Sequence, residues 1–414
     1  MRKTLRVILT IMVLVAIVFW GISPVVRGWA RGKYRDFPVA FQVIALVNQR
    51  FIEPVSLGRL FHSYLHHGAI EKTLAELKDP YTRYLNPAEY RELRSQTEGS
   101  FGGIGVYLDF NGDQLTVMRP IKGSPAEKAG ILQGDRIIAV DGKSTANRTR
   151  EQVIAAIKGK IGTEVVLLIE RGDGELVVRR EYRLRRANIK TPTVEMEILE
   201  DAIIGKVALV NLSQFAETTA GDLENALNDA ERAGVGSIIL DLRYNPGGLL
   251  TSAVAVASKF VPNGSRIVRV EQRGQQGEDF RALPNSHPKW PLVVLVNEWS
   301  ASAAEIVAGA IKDHKAGVLV GNTTFGKGVV QDVIPLANGG ALTLTVANYR
   351  TAGGLSIHKK GIRPHVLVPV PKDVEEALKK GDTAPRREFD KSQEEKALEV
   401  LRQEILGVRQ KEAA

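Results

Sequence analysis

The 414 residues contain no cysteine, which excludes disulfide staples, thiol nucleophiles and cysteine-ligated metals together. The absence does not fix a compartment, because a chain of this length buries a substantial core without cross-links. There is no H-E-x-x-H segment and no acidic cluster at ligand spacing, so no metal is expected and no cofactor is required. Aromatic residues make up only 6% of the chain, and the basic residues behind its net charge of +9 are scattered rather than interleaved with them. That composition argues against nucleic acid as a partner; weak attraction of the N-terminal region to anionic lipid is the more economical reading of the charge. No G-x-S-x-G elbow exists to pair with any of the seven histidines. His358, beside Lys359 and Lys360, reads as a polar loop residue, with a place in a cleft wall as the alternative.

Two short segments carry the chemistry that is present. In the first, the apolar run Pro291 to Val296 is of buried-strand type and the helical composition of Ala301 to Ile311 follows it. Ser302 therefore stands at a helix N-terminus, where unpaired N–H groups and the positive end of the helix dipole favour an oxyanion. An ordinary N-cap serine is the competing reading. In the second, Lys327 lies between Gly326 and Gly328 with no acid from Asn322 to Gln331. A lysine buried without a counterion is pushed toward its neutral form, as a general base requires. Gln331, four residues on, shares a face with it and brings an uncharged amide. After the strand-like SIILDL, Pro246-Gly247-Gly248 forms a turn in which backbone approaches a ligand closely.

Taken together, NEWSASAAEI, TTFGKGVVQ and ILDLRYNPGGLL resemble the signatures of the C-terminal processing (tail-specific) serine/lysine peptidases, in that family's order, from about Asp79 to Val370. The resemblance implies Ser302 as nucleophile, Lys327 as general base, Gln331 as the residue that positions it, and the N–H groups of Gly248 and Ala303 as the oxyanion hole. It also implies a crotonase-like layered α/β protease core. Tyr244, Ala304 and His365 stand where the family more often has Asn, Ser and Asp, which touches the shape of the cleft and not the reaction.

A second unit, residues 98–186, resembles a PDZ domain, a small β-barrel with helices inserted ahead of the protease core of residues 187–371. Gly103-Ile104-Gly105-Val106 resembles the loop that holds a terminal carboxylate, and SPAEKAGILQGDRIIAVDGK resembles the module's central signature. Asn111-Gly112 is a good hairpin turn. The segment TREQVIAAIKG reads as the helix walling the groove, with Val153, Ile154 and Ile157 presented to it. The expected partners are polypeptides with apolar C-termini, captured by strand addition.

The termini complete the plan. Arg2, Lys3 and Arg6 precede an uncharged, mostly apolar run from Val7 to Val26, long enough at about 1.5 Å per residue to span about 30 Å of hydrocarbon. Residues 1–30 are thus read as a signal anchor, with a signal peptide cleaved near Gly28-Trp29-Ala30 as the rival. Either one exports the remainder to the periplasm or the outer face of the cell membrane. Residues 31–97 read as helical, with Asn86 and Pro87 opening the last helix, and the family resemblance leaves a homodimer through this region open. Residues 372–414 read as a charged helical tail with Leu398, Leu401, Ile405 and Leu406 on one side, docked on the protease core or on another copy of the chain. The expected activity is that of an exported serine endopeptidase acting through an acyl-enzyme. A catalytically silent PDZ scaffold at the membrane and a crotonase-type acyl-CoA enzyme are the readings from other classes; the latter has no use for an export segment or a tail-binding module.

Overall fold

Short runs of Val, Ile and Leu, too short and too apolar for surface helices, become the buried strands that frame the molecule. The computed structural model describes residue 34 and residues 36–412, apart from 112–113, 173–175, 380–381 and 383. The run from Val7 to Val26 therefore lies outside the described residues, as does Gly112 of the expected hairpin. Among the described residues no helix is long and apolar enough to cross a membrane.

The N-terminal region holds α1 (Phe37–Arg50), α2 (Leu57–His67), α3 (Ile70–Ala75), β1 (Arg83–Leu85) and α4 (Pro87–Glu98). Asn86 caps α4: its side chain accepts from Ala88 and Glu89 N–H, and Glu89 reaches back to the Asn86 N–H. These helices do not form a separate body. Val43, Ile44, Leu60 and Tyr64 are buried in the same cluster as the strands of the protease core, and β1 pairs directly with one of them, Arg83 opposite Thr343.

The PDZ domain is entered by β2 (Ser100–Gly103) and consists of β3 (Val106–Asn111), β4 (Gln114–Pro120), α5 (Pro125–Lys128), β5 (Arg136–Val140), β6 (Lys143–Ser144), α6 (Arg150–Ile157), β7 (Glu164–Arg171) and β8 (Val178–Arg185); β9 (Ala187–Lys190) leaves it. Its sheet runs β3-β4-β5-β7-β8 over a core of its own that includes Val117, Ile137, Leu167 and Ile169. Strands β2 and β9 pair with each other, so the chain enters and leaves through a two-stranded ribbon. Strand β3 is an edge, and α6 runs beside it. The Arg150 guanidinium at the start of α6 lies 5.2 Å from the Phe110 ring, and Gly159 N–H beyond its end donates to Gly102 O at 3.0 Å.

In the protease core follow β10 (Val194–Asp201), β11 (Gly205–Leu212), α7 (Thr219–Arg232), β12 (Ser237–Asp241), α8 (Leu250–Ala257), β13 (Arg266–Gln272), β14 (Glu278–Arg281), β15 (Leu292–Val296), α9 (Ala303–Asp313), β16 (Val318–Gly321), β17 (Val329–Pro335), β18 (Ala341–Thr351) and β19 (Val366–Leu367). The main sheet, β10-β11-β12-β15-β16-β19, is parallel apart from β10. Because side chains alternate along a strand, Ile238, Leu240, Val294 and Val296 join the core shared with α7, α8 and α9, while Ile239, Val293 and Leu295 face the other way. That second face is covered by the 29-residue α11 (Ala384–Glu412), against which the short α10 (Lys372–Lys379) packs. The tail docks on its own protease core through Ala397, Val400 and Leu401. The expected stripe holds in part: Leu401 is fully buried, Leu398 and Ile405 pack partly, and Leu406 is exposed. The arrangement is a crotonase-like layered α/β core with an inserted PDZ domain and helical segments at both ends.

Candidate active site

Turns at the carboxyl ends of three neighbouring parallel strands, β12, β15 and β16, meet at one edge of the main sheet, the usual place for a site in an open α/β sheet. The turn after β15 delivers Ser302. Its φ of 54° and ψ of −112° lie far from the extended backbone of an ordinary N-cap, a strained position of the kind that presents a nucleophile. The Ser302 N–H donates to Glu305 Oε2 at 2.9 Å, and the Tyr349 hydroxyl donates to its carbonyl at 3.2 Å.

The turn after β12 delivers the glycines. Phe215 N–H donates to Gly247 O at 2.9 Å and Leu249 N–H donates to Phe215 O at 2.8 Å, a parallel bridge that leaves the Gly248 N–H turned away from Phe215. Glycine is required here: a Cβ on Gly248, at φ 141°, would sit 2.1 Å from Phe215 O, and one on Gly247 would sit 2.8 Å from Ser302 Cβ. Ala303 is the first residue of α9, so its N–H has no acceptor within the helix. The two turns are stitched together, since Ala301 N–H donates to Asn245 O at 2.9 Å and the Ser300 hydroxyl donates to Leu242 O at 2.8 Å.

Past β16 comes Lys327, half-buried in the same cleft of about 900 Å³ that Ser302, Ala303, Gly248 and Gln331 line. Burial depresses its pKa below 10.5, with Arg83 helping and Asp79 and Glu305 opposing. The acid missing from the local sequence thus arrives from elsewhere in the fold. The Lys327 amine lies 5.0 Å from the centre of the Tyr81 ring, on the loop before β1. Gln331 follows a bulge in β17 and its amide donates to Thr345 Oγ1 at 3.5 Å. Among the described residues no hydrogen bond joins Ser302, Lys327 and Gln331 through their side chains; they share the cleft without being locked together. His358 packs against Tyr81 and is not among the residues lining the cleft.

The carboxylate that organises the site is Glu305, which the motif reading did not single out. It is fully buried and accepts four hydrogen bonds: Oε2 from the N–H of Ser302 and of Lys327, each 2.9 Å, and Oε1 from Gly326 N–H at 2.8 Å and Thr324 Oγ1 at 2.6 Å. Burial pushes its pKa up while those four donors hold it down. The signal was available, because a serine at a helix start with glutamate three residues on marks a side chain that returns to the first N–H.

In the PDZ domain the loop from Gly103 to Val106 lies at the start of β3, with Gly105 at φ 77°, and α6 ends beside it. Val153 and Ile157 are buried in the domain's core, whereas Ile154 on the same helix stays partly exposed.

Comparison with known proteins agrees with this geometry. A family model described as Peptidase family S41 matches residues 206–368, and a PDZ domain model matches residues 116–171. The chain is 38% identical over 324 residues to the carboxy-terminal processing protease CtpA of Bacillus subtilis (strain 168), covering 76% of this chain and 68% of that one. It is 37% identical over 314 residues to a probable CtpA-like serine protease of Staphylococcus aureus, covering 74% of this chain and 61% of that one. Among solved structures, the photosystem II D1 C-terminal processing protease superposes with a TM-score of 0.51 at 30% identity, covering 81% of this chain and 95% of that chain. Fold and comparisons define a serine-type peptidase that bears a PDZ domain. More narrowly, the chain belongs to peptidase family S41, with the carboxy-terminal processing proteases.

Proposed function

We propose that the protein is an exported, membrane-anchored serine endopeptidase that takes hold of polypeptide C-termini through its PDZ domain and cleaves peptide bonds with Ser302 and Lys327. The observation that carries this reading is the strained serine at the head of α9 in one cleft with a half-buried, depressed-pKa lysine. The Lys327 amine takes the proton of the Ser302 hydroxyl as its oxygen bonds to the substrate carbonyl carbon. The carbonyl oxygen, now negative, is received by the N–H groups of Gly248 and Ala303. On collapse the C–N bond breaks, the Lys327 ammonium returns its proton to the departing amine, and an ester on Ser302 remains. Water, deprotonated by Lys327, then bonds to the ester carbonyl carbon; the bond to Ser302 Oγ breaks, the Lys327 ammonium returns its proton to that oxygen, and the new C-terminal carboxylate leaves. The Gln331 amide orients the lysine once substrate draws the cleft together, since hydrogen bonds of resting sites often tighten only in the complex.

The open edge of β3 beside α6, with the glycine loop at its head, supports capture of an apolar C-terminus by strand addition. The basic and then apolar N-terminal sequence supports export and anchoring. The test is hydrolysis, by the full chain in its native membrane fraction, of a peptide with an apolar free C-terminus. Ser302→Ala and Lys327→Ala should each abolish turnover, and C-terminal amidation of the peptide should raise KM. Turnover that survives Ser302→Ala rejects the mechanism; tail binding with no Ser302-dependent cleavage leaves the silent PDZ scaffold; a soluble cytoplasmic fraction rejects the anchor.

A further inference from the structure

Tyr244 is the oddest residue near the cleft. A bulky aromatic at φ 61° is a backbone outlier, and such strain persists only where the surroundings over-determine it. Two elements do so here, the turn after β15 and α11. The Tyr244 N–H donates to Asn297 Oδ1 at 3.0 Å, across to the nucleophile turn. Its hydroxyl donates to Asp390 Oδ2 at 2.6 Å and accepts from Arg386 Nε at 2.6 Å, both residues on the first turns of α11. Arg386, almost fully buried, also donates through Nη1 to Glu298 Oε1 at 2.8 Å, on the nucleophile turn. One guanidinium therefore holds both turns that build the site. Beside it, Arg243 is tied to Asp241 and donates to Asp390 O at 2.6 Å and to Glu394 Oε1 at 2.7 Å.

We propose that the first turns of α11 are a latch on the oxyanion turn, with Tyr244, Asp390 and Arg386 as positioning residues that keep the Gly248 N–H in register with Ser302. The inference rests on the peptidase reading of Ser302 and Gly248 given above. Gly248 is four residues from Tyr244 on a turn whose two ends are fixed differently: Gly247 and Leu249 by Phe215 within the sheet layer, and Arg243 and Tyr244 on the outer side by side-chain bonds to α11, with Asp241 and Asn297 holding their N–H groups. Releasing the outer end lets the turn relax toward ordinary backbone angles, and the Gly248 N–H shifts with it. Substrate binding elsewhere in the cleft is untouched. The loss therefore falls on the chemical step. Burial, with the Asp390 carboxylate adding to it, pushes the Tyr244 phenol up to about 12, so the latch stays protonated and closed across any ordinary assay range.

The experiment compares the full chain with Tyr244→Phe, Asp390→Ala and Asp390→Asn on the peptide above, together with amide hydrogen exchange of residues 243–249. Tyr244→Phe and Asp390→Ala should each lower kcat about tenfold, a displacement-sized effect, with KM within about twofold. Asp390→Asn, which keeps an oxygen to accept the phenol proton, should recover most of kcat. Exchange in residues 243–249 should speed up in the first two variants and not in the third. A Tyr244→Phe enzyme with unchanged kcat, a loss confined to KM, or an Asp390→Asn enzyme as impaired as Asp390→Ala overturns the latch. If the unmodified chain cleaves nothing, the peptidase reading fails, and exchange still decides the latch: equal rates in Tyr244→Phe and the unmodified chain overturn it.

Discussion

At the residue scale the proposed mechanism turns on how a lysine is kept short of its proton. Burial is the leading cause of the depressed Lys327 pKa, while Asp79 and Glu305 pull the other way and the Tyr81 ring face offers the ammonium a partner. As the proposed base Lys327 must be neutral, so the acid limb of kcat/KM should rise with pH through a value below 10.5. Tyr81→Leu, which takes away the ring, should move that limb to lower pH; a pH–rate profile checks it, and an unmoved limb denies the ring a part. Stability follows the same linkage. The folded pKa lies below the unfolded one, so between them the unfolded chain binds more protons and stability rises with pH. Lys327→Met should therefore raise the melting temperature at neutral pH, and its advantage should shrink as the pH approaches 10.5.

Glu305 makes the complementary case. A glutamine there keeps one oxygen but turns an NH2 toward two of the four donors. Each donor left buried without an acceptor costs about 1–3 kcal/mol, so Glu305→Gln should lose about 2–6 kcal/mol in a denaturant titration, with activity falling as both turns loosen. Ser302 and Lys327 were legible in the sequence because each is framed by a local pattern of strand, glycine and helix. The partners of Lys327 were not, because Asp79, Tyr81 and Glu305 come from segments far apart in the chain that only folding brings together.

At the scale of the element, Gly248 ties backbone conformation to the proposed chemistry. Its φ of 141° and the 2.1 Å approach of Phe215 O leave no place for a Cβ. Gly248→Ala should therefore displace the turn and cost at least the 10²–10³-fold in kcat that loss of one oxyanion donor brings, with the melting temperature showing that the fold survives; wild-type kcat would exclude this N–H from the reaction. The elements themselves were readable where a short-range rule sufficed. The Asn86 cap, the α6 helix opened by Thr149, and the buried strands β12 and β15 all follow from capping or composition. The face of α11 followed only in part. Leu401 of the expected stripe is fully buried and Leu398 and Ile405 pack partly beside it, but the main sheet also takes the smaller Ala397 and Val400 and leaves Leu406 outside, since which face a long charged helix buries depends on the surface it meets.

At the scale of the whole molecule, the burial pattern separates the PDZ domain from everything else. Its core, centred on residues such as Val117, Leu167 and Ile169, shares no buried residue with the clusters of the protease core, whereas the N-terminal helices merge into one of those clusters. In sequence a helical stretch with its own amphipathic pattern looks independent, until β1 is seen pairing with β18. Two cores joined through the β2–β9 ribbon should melt as two cooperative units. Leu167→Ala empties a fully buried position in the PDZ core and should cost that domain about 2–5 kcal/mol, lowering one calorimetric transition and leaving the other in place. Leu295→Ala, equally buried between the main sheet and α11, should shift the transition that Leu167→Ala leaves alone. If either substitution moved both transitions together, the domains would be coupled through their interface, and a tail held at β3 would then act on Ser302 through the packing between the two bodies rather than by delivering substrate along the ribbon.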